Sequence, residues 1–146
     1  DYQKNAASYD AQLAALNDWI KAEIASIPEQ QRVMVTSHDA FNYLADAYDI
    51  EVQAIVGIST AQAPRPQEIE RIEAVIKDRN VRALFVETSV SSTLNMLVKK
   101  SAAATGVKIG GTLYSDSLDE PGKPAGSYLG MMNYNVSTIV DALQGS

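Results

Sequence analysis

The chain has 146 residues, 46% apolar and 21% charged, which fits one globular domain with a full core. Its 12 basic and 18 acidic residues give a formal charge of −6, and no basic stripe of the kind that grips a phosphate backbone is present. Nucleic acid is thereby excluded as an expected partner. Zero cysteines exclude disulfides, thiolate catalysis and cysteine-rich zinc sites, and a single histidine means that a site built mainly of imidazoles must borrow them from elsewhere. No apolar run approaches the roughly 20 residues that span a bilayer. Without a start methionine or leader pattern, the expectation is a trimmed or excised chain.

In chain order, Leu13, Leu16, Ile20, Ile24 and Ile27 recur at spacings of three and four, predicting a helix that stops near Pro28. The more polar stretch before Leu13 is expected to reach beyond the domain. Strand and helix signals then alternate. Val33–Val35 predicts a strand and Ala40–Tyr48 a helix. Glu51–Val56 predicts a strand, followed by a helix over Pro66–Asp78 with proline at its first position. Ala83–Val86 predicts a third strand and Thr93–Ala104 a helix ending before Gly106. Val107–Ile109 predicts a fourth strand, after which Gly110-Gly111 is expected to turn the chain. Asp119–Gly126 is a loop by composition, and Tyr128–Leu143 a last helix with Met132, Val136, Ile139 and Leu143 on one side. Short apolar strands alternating with helices imply a Rossmann-like, three-layer α/β/α fold. Its sheet has four parallel strands and is preceded by a long helix.

Ligands of an open parallel sheet sit outside the carboxyl ends of its strands. The polar residues there are Thr36, Ser37, His38 and Asp39; Gly57, Ser59 and Thr60; Glu87, Thr88 and Ser89; and Ser115, Asp116 and Ser117. One imidazole and two carboxylates thus come to one edge. A neutral imidazole at His38 suits a donor to a loop carbonyl, the reading that spacing alone favours, or a metal ligand. Asp39 or Ser37 is expected to cap the next helix. Asp116 between two serines suits an Asx-turn as well as a ligand. Glu87 suits a ligand, an acceptor behind the ligands, or a tie between loops. The run Ser37-His38-Asp39 is not a triad, because triad members meet through the fold. No phosphate loop or nucleophile elbow is present. Asn135-Val136-Ser137 matches a glycosylation sequon but falls inside a predicted helix. Tyr128, Met131 and Met132 read as core and interface residues.

The segment VMVTSHDAFNYLADAY (Val33–Tyr48) resembles the C-terminal lobe of the manganese/zinc/iron-binding solute-binding proteins of ABC importers. The resemblance continues through EVQAIVGIST (Glu51–Thr60), LFVETSV (Leu84–Val90), LYSDSL (Leu113–Leu118) and GSYLGMMNYNVSTIVDAL (Gly126–Leu143), in order and over nearly the whole chain. It implies a non-enzymatic protein whose metal lies between two lobes joined by a long helix, with two ligands from each lobe. His38 would be the third ligand, where many manganese and iron binders carry glutamate, and Asp116 the fourth. Glu87 and Asp39 are candidates for the shell behind them. Residues 1–27 would be the end of the linking helix and 28–146 the metal-binding lobe. The implied cargo is Mn²⁺, Zn²⁺ or Fe²⁺, held weakly by this lobe alone. The implied partners are an N-terminal lobe absent here and an ABC permease, in an extracytoplasmic setting, periplasmic or lipid-anchored. Readings from other classes are a surface adhesion module and a stand-alone α/β enzyme or signalling domain. Two departures from the family pattern stand out: Asp49 where relatives commonly carry glycine, and Ala61-Gln62-Ala63 without the acidic residues often found there.

Overall fold

The computed structural model describes residues 1–61 and 63–145, so Gln62 of the second departure lies outside the described residues. Its elements are α1 (Tyr2–Ala25), β1 (Val33–His38), α2 (Asn42–Tyr48), β2 (Glu51–Val56), α3 (Pro66–Asp78), β3 (Ala83–Glu87), α4 (Ser92–Thr105), β4 (Lys108–Leu113) and α5 (Tyr128–Gln144), with a short 3₁₀ turn at Glu29–Gln31. All pairings are parallel, and the strand order is β2-β1-β3-β4. The chain therefore steps outward from β1 to β2, then crosses back to β3. The ends of β1 and β3 flank the point where the strand order reverses, which is where such sheets bind ligands.

Alternate residues of each strand feed two separate cores. Val33, Val35, Leu84 and Val86 meet Ile72, Ile76, Leu94 and Val98 of α3 and α4. Met34, Ala83, Phe85 and Leu113 face the other way, onto Ile20, Ile24 and Ile27 and the α5 stripe Val136, Ile139 and Leu143. Burying each such aliphatic side chain contributes about 1.5–3 kcal/mol, so the end of α1 is an integral part of this core. Its other end is not: residues 1–12 are exposed, and Tyr2 is 93% accessible. Helix ends follow local chemistry. Ser91 Oγ accepts from Leu94 N–H at 3.2 Å and Ser127 Oγ from Gly130 N–H at 3.1 Å, while α4 ends on Gly106 in the left-handed region. Asp49 ends α2 at φ 54°, the conformation that glycine adopts more cheaply.

Helix α1 runs from Tyr2, and its exposed first turns need no apolar stripe. Two expectations are corrected. Gly110-Gly111 does not turn the chain. It lies inside β4, where Leu84 pairs with Ile109 and Phe85 with Gly111, leaving Gly110 as a bulge. A Cβ at Gly110 would stand 2.6 Å from Ala142 Cβ and 2.7 Å from Phe85 Cε1, so glycine is required for α5 to lie close on the sheet. Finally, neither Asp39 nor Ser37 caps α2, whose N-cap is Phe41 with no side-chain bond.

Gly110→Ala is expected to destabilise the fold by about 1–3 kcal/mol through overpacking. Urea denaturation measures this, and an unchanged midpoint would show that α5 sits less tightly than described.

Candidate metal centre

His38 ends β1 and Glu87 ends β3, side by side at the switch point. Both are buried, His38 at 3% and Glu87 at 1% accessibility. Glu87 grips His38 twice. Its Oε1 accepts from the His38 backbone N–H at 2.9 Å, and its Oε2 lies 2.7 Å from Nδ1. The second approach is close but outside hydrogen-bond alignment. A buried carboxylate is costly unless charge and hydrogen bonds compensate it. Here a main-chain amide serves Oε1, and the imidazole lies against Oε2.

The other ring nitrogen points outward. His38 Nε2 lies 2.9 Å from Asp116 Oδ2, and the Asp116 side chain is 64% accessible. The two sequence-predicted ligands, 78 residues apart, therefore meet. Asp116 sits on the loop after β4 at φ 56°, and its carboxylate turns to the imidazole instead of closing an Asx-turn. Donors about 2.0–2.2 Å from one ion, at a tetrahedral angle, lie about 3.4 Å apart. This pair needs to part by only about half an ångström to admit an ion between them. With Nδ1 turned to a carboxylate and Nε2 turned to the rim, the histidine has the arrangement that fixes ring orientation in carboxylate–histidine–metal units. Among the described residues, no group of three or more His, Cys, Asp or Glu is arranged to hold an ion. The chain brings together two candidate donors, His38 Nε2 and Asp116 Oδ2.

Supporting contacts hold the Asp116 loop. Ser115 Oγ and Ser89 Oγ are 2.7 Å apart, joining the loops after β3 and β4. Tyr114 OH donates to Asp119 Oδ2 at 2.9 Å. The Asp119 carboxyl is held below its ordinary range, first by the Glu120 N–H it accepts and then by the Tyr114 hydroxyl. A lowered carboxyl favours the folded loop above the ordinary aspartate range, and that contribution fades as pH falls through the lowered value. Asn95 and Asn135, which sequence reasoning missed, bind the backbone of Glu87 and Tyr114. Asn135 had a signal: it lies on the apolar stripe of α5, three residues after Met132 and four before Ile139, where a polar residue must find a partner. Asp39 does not join the pair. It lines a separate hollow with Asn42, Gln53 and Arg71 on the β2 side. Tyr128, Met131 and Met132 line a groove of about 310 Å³ that opens beside Asp116, with Phe41, Leu44 and Tyr48 opposite.

Residues 1–142 match the family described as ZnuA, zinc-uptake complex component A, periplasmic. The chain belongs to this family. Manganese-binding lipoprotein MntA of Bacillus subtilis (strain 168) is 39% identical over 145 residues, spanning 98% of this chain and 47% of that protein. Zinc-binding protein TroA of Treponema pallidum (strain Nichols) is 34% identical, again over 98% of this chain and 47% of that protein. Iron-binding protein YfeA of Yersinia pestis is 32% identical over 94% of this chain and 43% of that protein. The solved structure of the Treponema pallidum periplasmic zinc-binding protein superposes with a TM-score of 0.92, covering 99% of this chain and 53% of that one. The chain thus spans about half the length of the curated relatives it matches.

The buried and exposed arms of the pair are expected to differ in stability. Glu87→Ala leaves the buried His38 amide without its acceptor and the ring without the carboxylate packed against it, and should cost about 2–3 kcal/mol. Asp116→Ala, on an exposed loop, should stay within about 0.5 kcal/mol. Equal losses in denaturant midpoints would contradict the division into a fixed and a free arm.

Proposed function

We propose that this chain is the C-terminal lobe of an extracytoplasmic protein that captures a divalent transition metal and delivers it to an ABC importer. His38 Nε2 and Asp116 Oδ2 supply two of four ligands; an N-terminal lobe of the same protein supplies the others, and a membrane permease receives the cargo. The observation that carries this reading is the half-shell itself. One imidazole, oriented from behind by a buried carboxylate, stands 2.9 Å from one exposed carboxylate at the sheet's switch point. In this reading residues 1–27 are the end of the helix linking the lobes, which accounts for a helix with one end in the core and the other exposed. The protein is a binder and not an enzyme, and its setting is periplasmic or lipid-anchored. Among the described residues, no helix is long and apolar enough to cross a membrane.

The cargo is Mn²⁺, Zn²⁺ or Fe²⁺. Nitrogen and carboxylate oxygen suit all three, and intrinsic affinity rises from manganese through iron to zinc. The names of relatives at 32–39% identity carry all three metals, so the choice rests on geometry and supply more than on donor type.

Two ligands leave an ion largely hydrated, so this lobe alone should bind metal weakly and the two-lobe protein tightly. Calorimetry with Zn²⁺ and Mn²⁺ on both forms decides it, and equally tight binding would refute shared coordination. In the two-lobe protein, His38→Ala and Asp116→Ala should each weaken binding at least about tenfold. Unchanged affinity removes that residue from the site.

A further inference from the structure

Two side-chain amides treat two strand ends identically. Asn95 Oδ1 accepts from the Glu87 N–H at 3.0 Å, and its Nδ2 donates to the Glu87 carbonyl at 2.8 Å. Asn135 Oδ1 accepts from the Tyr114 N–H at 2.9 Å, and its Nδ2 donates to the Tyr114 carbonyl at 2.8 Å. Each amide stands in for one residue of a neighbouring strand where sheet pairing gives out, since Glu87–Leu113 is the last pair of β3 and β4. Each also serves a different arm of the half-shell. Glu87 holds His38 by amide and ring, and Asn95 reaches β1 as well, because Ser37 Oγ donates to the same Oδ1 at 2.8 Å. Tyr114 is two residues before Asp116. Asparagine is a poor helix interior residue, and Asn135 is only 2% accessible in the middle of α5, on a stripe otherwise apolar. An apolar residue would serve that helix and core better. What it would not do is fix the loop.

We propose that Asn95 and Asn135 are positioning residues of the metal half-site, Asn95 setting the His38–Glu87 arm and Asn135 the Asp116 arm. The proposal rests on the metal-capture reading and adds to it the devices that hold each donor in place. A side-chain amide with both its groups engaged allows its partner backbone one orientation. Losing it should let the donor wander while the ligand itself remains.

The single histidine makes the test clean, because one imidazole ¹⁵N signal reports on the site in this chain without ambiguity. Zn²⁺ is titrated while that signal and the Asp116 amide are followed. Asn135→Ala and the near-isosteric Asn135→Asp should weaken Zn²⁺ binding about 5- to 10-fold, with no further loss when added to Asp116→Ala. The Asn95 variants should displace the His38 ring signal before zinc is added and weaken binding similarly, with no further loss in His38→Ala. Unchanged affinity, or the same loss whether or not the corresponding ligand is present, overturns the proposal. So does unfolding, by circular dichroism, of both variants at one position, which would assign that asparagine to the fold. Should His38→Ala and Asp116→Ala themselves leave zinc binding intact, the metal reading fails, and that result is distinct from the others.

Discussion

The site hangs on one buried carboxylate. Glu87 is shut away from water; among the described residues no lysine or arginine pairs with it, and the groups its carboxylate meets belong to His38. A lone buried charge would be ruinous to stability, so Glu87 and His38 fix each other. The consequence is directional. Once Nδ1 is committed inward, Nε2 has only the rim to face, and the loop after β4 brings Asp116 to meet it. The sheet topology makes the pairing available, because β1 and β3 are neighbours at the reversal of strand order.

Against that fixed arm stands a softer one. Asp116 is exposed, lies in a left-handed backbone conformation, and belongs to a loop tied by a serine pair, a tyrosine–aspartate bond and one asparagine. The asymmetry suits a site that has to admit and give up an ion. On the proposed reading, a rigid nitrogen would set where the ion sits and the exposed oxygen would complete its side of the site. Two rigid donors already in contact would resist entry of an ion between them.

Much of this was legible from residue order. Short apolar runs for the strands and spacings of three to four in the helices placed nearly every element, and Pro66 and Gly106 marked their helix ends as expected. That His38, Glu87 and Asp116 come to one edge was expected, because polar residues following apolar strands gather there, whereas the ligand roles of His38 and Asp116 were implied only by the family resemblance. What sequence did not yield was anything decided by close approach across the fold. Gly110 looks like turn chemistry in one dimension; only the seating of Ala142 and Phe85 against it reveals a bulge. Ser37 and Asp39 fit the pattern of helix caps, yet Ser37 turns to Asn95 and Asp39 to the β2 side. Glu87 was weighed as a ligand, a support and a loop tie. Its burial beneath the imidazole makes it the support, a distinction that spacing along the chain does not contain.

The same reasoning explains why similarity identifies the family more readily than the cargo. A histidine nitrogen and an aspartate oxygen are acceptable to manganese, iron and zinc alike, and the order of intrinsic affinity among these ions is set by the metals themselves. On the proposed reading, a lobe offering two such donors imposes little choice. Discrimination has to arise from how many further donors arrive, at what angles, and how firmly each is held. On this lobe the angles follow from Glu87 behind the imidazole and from the backbone that presents Asp116. If His38 and Asp116 are the ligands, substitutions that leave both untouched but loosen their supports are the ones able to shift preference among ions.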